Sequence, residues 1–342
     1  MVTTLEIEEF LSQSSGHPVL DVRSPAEYAH AHIPGAISLP LFSDSERAVI
    51  GTLYKQQGRE QAMMQGLEYY GKNMQRIVSD LKNQTTDKQL YVHCWRGGMR
   101  SGVVAWMLNL FGYKVSTLHK GYKTFRRTVL DSFSPVKNIL ILGGKTGSAK
   151  TKVIHELKQL GEQVIDLEAL AHHKGSAFGG IGEMDASSQE QFENELYMHF
   201  RNLDPAKPVW LEDESQRIGR MNLPNPMWEQ MRKAPVVYLE IPFEERLNYI
   251  EETYGSLDVE ELKVATLRIQ KRLGGLDTRN ALQFFGEGKI RDAFDILLKY
   301  YDKAYMRATA QRPKNNIRTI AIEKITPHDI ALQIMNHAVV LT

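Results

Sequence analysis

A single cysteine stands in a loop rich in arginine and glycine, after a strand predicted over 90–93. The loop over 93–101 has the sequence HCWRGGMRS and leads into an apolar helix predicted from Ser101. A thiol in front of a helix faces backbone N–H groups and the positive end of the helix dipole. Arg96 and Arg100 add two positive charges, so the thiolate of Cys94 is favoured over the thiol. The sequence therefore predicts an activated sulfur nucleophile beside a pocket for an oxyanion such as phosphate. A buried structural cysteine is the alternative, against which the arginines and glycines argue.

A second anion-binding motif follows a strand predicted over 136–142. The segment 144–151, GKTGSAKT, has the Walker A spacing, except that Ala149 occupies the position of the second glycine. In this motif backbone N–H groups surround phosphates, Lys150 bridges them, and Thr151 can hold Mg²⁺. The predicted phosphate-binding residues are Gly144, Thr146, Gly147, Ser148, Lys150 and Thr151. ATP, GTP or a diphosphate ester would each fit, and a glycine-rich turn without a ligand is the alternative.

An acidic strand end is the candidate for the metal side of this loop. The segment 209–214, VWLEDE, resembles a Walker B strand. We expect Asp213 to be the carboxylate on the metal side, with Glu212 and Glu214 as alternatives. A zinc site is not expected, because the histidine pair at 172–173 lacks further ligands at metal spacing.

Both motifs lie where predicted strands alternate with predicted helices. Strands are expected over 18–22, 90–93, 136–142, 163–166, 209–211, 236–241 and 317–322. One helix is expected to begin at Pro25 with Ser24 as its N-cap, and a basic helix is expected over 122–130. Such alternation predicts parallel α/β sheets in two domains, divided at the turn-forming stretch 131–135. We place the domains at 1–134 and 135–342.

Length and composition exclude several classes of protein. The 342 residues suggest two domains, and 42% apolar with 24% charged residues argues against disorder, collagen-like repeats and coiled coil. A net charge of +1 excludes a generally basic nucleic-acid-binding surface. One cysteine excludes an intrachain disulfide, and no secretory h-region or apolar run of membrane-spanning length occurs. We expect a soluble, cytoplasmic protein in which segment 102–111 is a buried core helix.

Two families share the pattern of the cysteine loop. His-Cys, then five residues, then Arg-Ser is the pattern of cysteine phosphatases, and the same string resembles the active loop of rhodanese-type sulfurtransferases. The segments 21–28, DVRSPAEY, and 32–40, HIPGAISLP, resemble the rhodanese signature, with Ala31 where glycine is common. We therefore favour rhodanese over phosphatase. The expected fold class is α/β, with a rhodanese-like domain followed by a P-loop NTPase-like parallel α/β domain.

The whole chain resembles the tRNA 2-selenouridine synthases, a bacterial family. The matching segments cover most of the chain: 51–57, 94–101, 143–151, 173–179, 191–194, 272–275 and 300–302. Ala149 departs from the family pattern, and so does Lys174, where arginine is expected. The resemblance implies that 2-thiouridine at the wobble position of lysine, glutamate and glutamine tRNAs is first alkylated on sulfur by geranyl diphosphate. Selenium from selenophosphate then displaces the S-geranyl group, with Cys94 as the selenium-carrying nucleophile.

The resemblance also implies co-substrates and partners. Selenophosphate and geranyl diphosphate would be co-substrates, Mg²⁺ is a candidate ion, and no permanently bound cofactor is expected. The phosphate loop would hold the diphosphate of the geranyl donor rather than drive hydrolysis. Partners would be the tRNA and, as a candidate, an enzyme that produces selenophosphate, and no membrane is expected. Candidate RNA-binding residues form two basic clusters: Lys123, Arg126 and Arg127, and Arg268, Lys271 and Arg272.

Two other functions stay open at this point. The main alternative is a cysteine-dependent phosphatase of rhodanese fold with a nucleotide-binding regulatory domain, which predicts phosphate release that requires Cys94. The other is a nucleotide-gated module that binds tRNA or protein without catalysis. That module would keep its biological activity in the Cys94→Ser variant.

Overall fold

Parallel strands form the centre of each half of the chain. The computed structural model describes residues 2–135, 137–176, 178–181 and 187–338. The chain divides between Ser132 and Phe133 into two compact units, and residues 193–195 group with the first unit. The predicted domain boundary after residue 134 therefore lies two residues from this division.

The first unit is built on a parallel sheet. Its strands are β1 (Thr3–Leu5), β2 (Val19–Asp21), β3 (Ile37–Ser38), β4 (Gln89–His93) and β5 (Lys114–Leu118). In the described residues they form one five-stranded sheet in the order β1-β5-β4-β2-β3. The register pairs Asp21 with His93, so the carboxyl ends of β2 and β4 lie side by side. The loop that follows β4 therefore begins at the carboxyl end of the sheet, where polar groups from neighbouring strands can meet.

Helices connect these strands, as parallel pairing requires. They are α1 (Ile7–Gln13), α2 (Pro25–His30), α3 (Asp44–Gln56), α4 (Arg59–Gln84), α5 (Met99–Leu110) and α6 (Gly121–Asp131). Buried apolar residues of β2, β4, α4 and α5 form one core cluster, which includes Leu20, Val92, Ile77 and Met107. The helices α3 and α4, which pack against each other between β3 and β4, were not among the predicted elements, and neither was β1.

Two local predictions for this unit have different outcomes. α2 begins at Pro25, and the Ser24 N–H donates to the Glu27 carboxylate at 3.0 Å as part of a capping box, so the predicted N-cap is confirmed. The prediction of a buried helix over 102–111 is wrong for one face of α5. Trp106, Leu110 and Phe111 are more than half exposed, because only the opposite face of α5 packs into the core.

The second unit repeats the strand–loop–helix layout. Its strands are β6 (Ile139–Gly144), β7 (Gln163–Val164), β8 (Val209–Glu212), β9 (Arg217–Ile218), β10 (Met221–Asn222), β11 (Val236–Glu240) and β12 (Ile317–Ala321). Within the described part of the chain, a five-stranded parallel sheet has the order β12-β11-β6-β8-β7, and β9 pairs antiparallel with β10. The predicted parallel α/β sheets are thus confirmed in both units.

The helices of the second unit follow its strands and extend the unit beyond the sheet. They are α7 (Lys150–Gln159), α8 (Leu167–Leu170), α9 (Gln189–Arg201), α10 (Asn225–Lys233), α11 (Phe243–Tyr254), α12 (Val259–Arg268), α13 (Gln270–Leu273), α14 (Gly275–Gly286), α15 (Ile290–Thr309) and α16 (Pro327–Ala338). Residues 193–195 of α9 are those that group with the first unit. Across the described ranges, no helix is both long enough and apolar enough to cross a membrane.

Candidate active site

Cys94 follows β4 directly and is only 3% exposed. Its Sγ lies 3.3 Å from the Ser101 Oγ in the first turn of α5. On the other side of the loop, the Tyr122 N–H donates to the Cys94 carbonyl at 2.8 Å, and the Lys123 N–H donates to the Trp95 carbonyl at 3.0 Å. The first turns of α5 and α6 therefore hold the cysteine loop between them.

The close contact between the loop and α6 requires glycine. Gly121 has a φ of +60°, and a Cβ there would lie 2.2 Å from the Cys94 carbonyl oxygen and 2.4 Å from the Gly97 nitrogen. Gly97 has a φ of +59°, and a Cβ there would lie 2.5 Å from the Leu118 carbonyl oxygen. A side chain at either position would displace the backbone that carries the thiol.

The surroundings of Cys94 favour its ionised form. Burial alone raises the pKa of the thiol. The Ser101 hydroxyl, the positive charge of Arg100 and the backbone N–H groups of Ser101 and Gly98 lower it by more, so the pKa of Cys94 lies below its ordinary value. A lowered pKa increases the fraction of the thiolate, which is the nucleophilic form of cysteine.

The two arginines of the loop have different surroundings. The Arg100 Nη1 donates to the Glu27 Oε2 at 2.8 Å, so Arg100 is fixed by the same carboxylate that caps α2. Arg96 is exposed and forms no ion pair within the described residues. Arg100 therefore acts on the thiol as a positioned charge, whereas Arg96 is available to an incoming anion. Sequence reasoning did not find Glu27 as the partner of Arg100, because 73 residues separate them.

A buried polar cluster lies next to the cysteine loop. The Arg23 Nη2 donates to the Asp21 Oδ2 and to the Ala31 carbonyl, each at 2.6 Å, and its guanidinium lies 3.9 Å from the ring centre of Tyr122. The His93 Nε2 is 3.7 Å from the same Asp21 oxygen. Burial lowers the pKa of His93 to about 4, although Asp21 opposes this effect. His93 is therefore neutral at pH 7, and neither ring nitrogen has a hydrogen-bond partner among the described residues.

The phosphate loop of the second unit closes on itself. The Lys150 Nζ donates to the Gly144 carbonyl at 2.8 Å, and the Ser148 hydroxyl donates to the Lys145 carbonyl at 2.6 Å. The Gly144 N–H donates to the Tyr305 hydroxyl at 2.9 Å. In a Walker A loop the lysine and the backbone N–H groups contact phosphates. A phosphate ester that binds here would therefore replace internal hydrogen bonds of the loop.

A buried arginine supports this loop. The Arg246 guanidinium donates to both carboxylate oxygens of Asp302, at 2.8 and 2.7 Å, and to the Thr146 carbonyl at 3.0 Å. Gly147 has a φ of +82°, and a Cβ there would lie 2.9 Å from the Arg246 carbonyl oxygen. Sequence reasoning missed Arg246 altogether. Asp302 belongs to segment 300–302, which matches the family pattern, and this match was the one available indication of a role for its partner Arg246.

The carboxylate chosen from the sequence is engaged by protein donors. Asp213 accepts a hydrogen bond from the Tyr305 hydroxyl at 2.7 Å and forms a buried ion pair with Arg312. These bonds occupy the oxygens that a metal ion would need. Within the described ranges, no group of three or more His, Cys, Asp or Glu side chains is arranged to hold a metal ion.

The alternative carboxylates are better placed for a cation that binds together with a phosphate ligand. Glu212 is fully buried, and its two oxygens have no hydrogen-bond partner within the described residues. Burial, with Glu168 beside it, raises the pKa of Glu212 well above its usual value and that of Glu214 to about 8. The Thr151 hydroxyl donates to the Glu168 Oε2 at 2.8 Å. Hydroxyl and carboxylate oxygens are the donors that Mg²⁺ prefers, so Thr151, Glu168 and Glu212 fit this ion.

The candidate RNA-binding residues differ in exposure. Lys123 and Arg127 are exposed on α6. Arg126 on the same helix donates to the Asn194 Oδ1 at 2.7 Å and to the Glu193 carboxylate at 2.6 Å, and its side chain is mostly buried. The second cluster is exposed at the adjoining ends of α12 and α13: Arg268, Lys271 and Arg272. Contact with RNA stays a prediction for both clusters.

Comparisons with known proteins identify the family. The family model described as the tRNA 2-selenouridine synthase AAA domain matches residues 137–328, and the rhodanese-like domain model matches residues 5–128. The chain belongs to the tRNA 2-selenouridine synthase family. The tRNA 2-selenouridine synthase of Nitrosomonas europaea is 36% identical over 245 residues, which span 69% of this chain and 63% of that protein. The Shewanella denitrificans protein of the same name is 37% identical over 289 residues, which span 75% of this chain and 76% of that protein.

Among solved structures, a Saccharomyces cerevisiae homologue of single-domain rhodanese and of a phosphatase catalytic domain matches with a TM-score of 0.23 and 18% identity. The match spans 38% of this chain and 83% of that chain. The two family models and the sheet orders confirm the expected fold class, a rhodanese-like domain followed by a P-loop-type domain. They also confirm the family resemblance.

This member of the tRNA 2-selenouridine synthase family has an alanine in a left-handed conformation. Ala149 has a φ of 53° and a ψ of 28°, directly before α7. For an L-residue with a Cβ, this conformation costs roughly 1–2 kcal/mol. Ala149, in the position of the second Walker A glycine, therefore keeps the left-handed backbone conformation, but at an energetic cost.

Ser101→Ala is expected to raise the pKa of Cys94, because the Ser101 hydroxyl is the strongest of the influences that lower it. A hydrogen bond to a charged group contributes about 1.5–3 kcal/mol. The rate of iodoacetamide alkylation at pH 7 should therefore fall roughly tenfold, and the midpoint of its pH profile should move upward. Ser132→Ala in the same unit is the control and should react at the wild-type rate. An unchanged pH profile for Ser101→Ala would contradict the assigned role.

His93 is expected to make the protein less stable as the pH falls from about 6.5 to about 4. The unfolded state binds the proton near pH 6.5, whereas the folded state binds it only near pH 4. This difference lowers the free energy of unfolding by up to about 3 kcal/mol across that window. In His93→Leu this contribution disappears, so urea unfolding at several pH values should show a flatter curve than for the wild type. Parallel curves for the two proteins would show that His93 is not buried in its neutral form.

Ala149→Gly is expected to raise the free energy of unfolding by up to about 1 kcal/mol. The relief of the left-handed Cβ, roughly 1–2 kcal/mol, exceeds the entropic cost of glycine, roughly 0.5–1 kcal/mol. The control is Ala304→Gly, at an exposed position within α15, which should lose about 1 kcal/mol. Urea denaturation measures both variants. A similar loss in both would mean that Ala149 is not strained.

Proposed function

We propose that this protein converts 2-thiouridine at the wobble position of lysine, glutamate and glutamine tRNAs to 2-selenouridine. The observation that supports this proposal best is a buried thiol of lowered pKa in a loop with two arginines, in a chain of the tRNA 2-selenouridine synthase family. A second loop with the Walker A spacing in the same chain suits a reaction with two phosphate-bearing co-substrates, geranyl diphosphate and selenophosphate. No permanently bound cofactor is required by this scheme.

The phosphate loop would serve the alkylation step. The 2-thio sulfur attacks the C1 carbon of geranyl diphosphate, a C–S bond forms, and the C–O bond to the diphosphate breaks. The diphosphate leaves with the electron pair, and the N3 proton of the base is lost to solvent. Lys150 and the backbone N–H groups near Gly144 would hold the diphosphate, since they are now satisfied only by groups of the protein. Thr151, Glu168 and Glu212 would hold Mg²⁺, and the ion would supply positive charge near the leaving diphosphate.

The cysteine loop would serve the selenium donor. A thiolate that takes selenium from selenophosphate and releases phosphate loses two electrons, so a perselenide on Cys94 requires an oxidant. Attack of the thiolate on phosphorus requires none. An S–P bond forms, the Se–P bond breaks, and selenium leaves with the electron pair as selenide. We therefore propose that Cys94 handles selenophosphate as the acceptor of its phosphoryl group, with Arg96 beside the phosphate.

Selenide would then replace the alkylated sulfur. It attacks the C2 carbon of the base, a C–Se bond forms, and the C–S bond breaks. Geranyl thiolate leaves with the electron pair and takes a proton from solvent. Alkylation makes this step feasible, because a thiolate leaves far more readily than a sulfide dianion. Water finally attacks the phosphorus on Cys94, which releases phosphate and restores the thiolate.

Substitutions in the two loops are expected to block different steps of the reaction. Lys150→Ala should form at least tenfold less S-geranyl-2-thiouridine, because one hydrogen-bonding charge on a transferred phosphate group contributes roughly 2–4 kcal/mol. Cys94→Ser should accumulate S-geranyl-2-thiouridine without 2-selenouridine. Mass spectrometry of nucleosides from 2-thiouridine tRNA, incubated with both co-substrates, measures both products.

The matched control for the phosphate loop is Lys152→Ala, an exposed lysine on the same helix. It should give wild-type amounts of both nucleosides. If the Lys150→Ala variant alkylates as much 2-thiouridine as the wild type, the proposal that this loop binds the diphosphate is wrong. Labelled selenophosphate distinguishes the two roles of the thiol: phosphorus retained on Cys94 supports phosphoryl transfer, and selenium retained there supports carriage as a perselenide.

A further inference from the structure

A cavity of about 880 Å³ opens beside Cys94 in the first unit. Its walls come from the segment after β3, from α3 and α4, and from the start of α5. The apolar side chains of the wall include Leu41, Phe42, Ile50, Met63, Leu67 and Met99. Cys94, Trp95 and Arg96 line the same cavity, so a molecule bound in it lies within reach of the cysteine loop.

An inorganic anion does not account for this cavity. Selenophosphate is small and polar, whereas most of the cavity wall is apolar. A cavity of several hundred Å³ with apolar walls is typical of a site for an organic ligand. Met63, Leu67 and Met99 are 39%, 57% and 55% exposed, so the core does not require their side chains. Apolar side chains that stay exposed around one cavity indicate an apolar partner.

The charged residues that line the cavity are all basic, and they are Arg47, Lys55, Arg59, Arg96 and Arg100. No aspartate or glutamate is among the lining residues that the structure describes. Arg100 is paired with Glu27, and the Arg47 Nε lies 3.8 Å from the same carboxylate, whereas Lys55 and Arg59 are exposed. Apolar walls combined with basic lining residues fit an apolar chain that is attached to a polyanion such as RNA.

We propose that this cavity binds the prenyl-type chain on the sulfur of the alkylated base, while the RNA backbone contacts the exposed basic residues Lys55 and Arg59 of its lining. The inference rests on the proposed function, because only there does the base have such a chain. Bound in this way, the chain positions the C2–S bond beside the cysteine loop. Two of the lining side chains, Met63 and Met99, are unbranched thioethers that adapt to a flexible ligand.

The test is the double variant Met63→Gln/Leu67→Gln, which makes the wall polar without adding charge. Both side chains are already partly exposed on α4, so the fold should persist, and thermal unfolding checks this. We expect kcat/KM for selenation of S-geranyl-2-thiouridine RNA to fall about tenfold or more, and kcat/KM for the S-methyl analogue to stay unchanged. Met64→Gln is the matched control, since Met64 is the next residue on α4, is 62% exposed and does not line the cavity. An equal fall for both RNAs, or no fall, would overturn the proposal.

A binding measurement separates this proposal from the function on which it rests. The full-length protein, labelled with carbon-13 at its methionine methyl groups, is titrated with S-geranyl-2-thiouridine nucleoside and separately with the S-methyl nucleoside. The Met63 and Met99 resonances, assigned by substitution to leucine, should shift with the geranyl probe alone, and Met64 should not shift. If no RNA is selenated but these shifts occur, the proposed function fails and the chain site stands. If RNA is selenated and neither resonance shifts, the chain site is wrong.

Discussion

A thiolate can exist in a nearly closed site only if the surrounding donors outweigh the loss of water. Around Cys94 the donors are the Ser101 hydroxyl, two backbone N–H groups and the charge of Arg100. All of them depend on the path of the loop, and that path depends on the absence of side chains at Gly97 and Gly121. The chemistry of the first unit thus rests on a backbone contact that only glycine permits.

The two loops share a layout but differ in what occupies their donors. In the cysteine loop the Ser101 Oγ lies 3.3 Å from the sulfur, and the N–H groups of Ser101 and Gly98 lower the pKa of the thiol, so the loop is organised before any ligand arrives. In the phosphate loop, Lys150 and the Gly144 N–H are bonded to a carbonyl and to Tyr305. A ligand there must replace existing bonds, which reduces affinity for a single phosphate and favours one that makes several contacts, such as a diphosphate ester.

Local sequence patterns were sufficient for the reacting groups and for the sheets on which they lie. Strand–loop–helix spacing identified Cys94 and the Walker A segment, because each is a short-range pattern with a direct physical reason. The hydrogen-bond partners of these groups could not be predicted from the sequence: Glu27 for Arg100, Arg246 for the Thr146 carbonyl, and Tyr305 for Asp213. Those contacts join residues from 73 to 100 positions apart, and nothing in the local sequence specifies them. The cavity wall was missed for a related reason, since α3 and α4 were not predicted as helices.

The pairing of Arg100 with Glu27 has a chemical consequence for the thiol. A positive charge lowers the pKa of a cysteine, but the nucleophilicity of a thiolate falls as its pKa falls. An unpaired Arg100 beside Arg96 would stabilise the thiolate strongly and thereby lower its nucleophilicity. With Glu27 at 2.8 Å, the effect of Arg100 on the sulfur is reduced, and Arg96, which forms no ion pair within the described residues, is available for the charge that an incoming phosphate brings. The carboxylate that caps α2 thereby limits how far Arg100 lowers the pKa of Cys94, which connects the rhodanese-like helix start at Ser24 to the reactivity of the thiol.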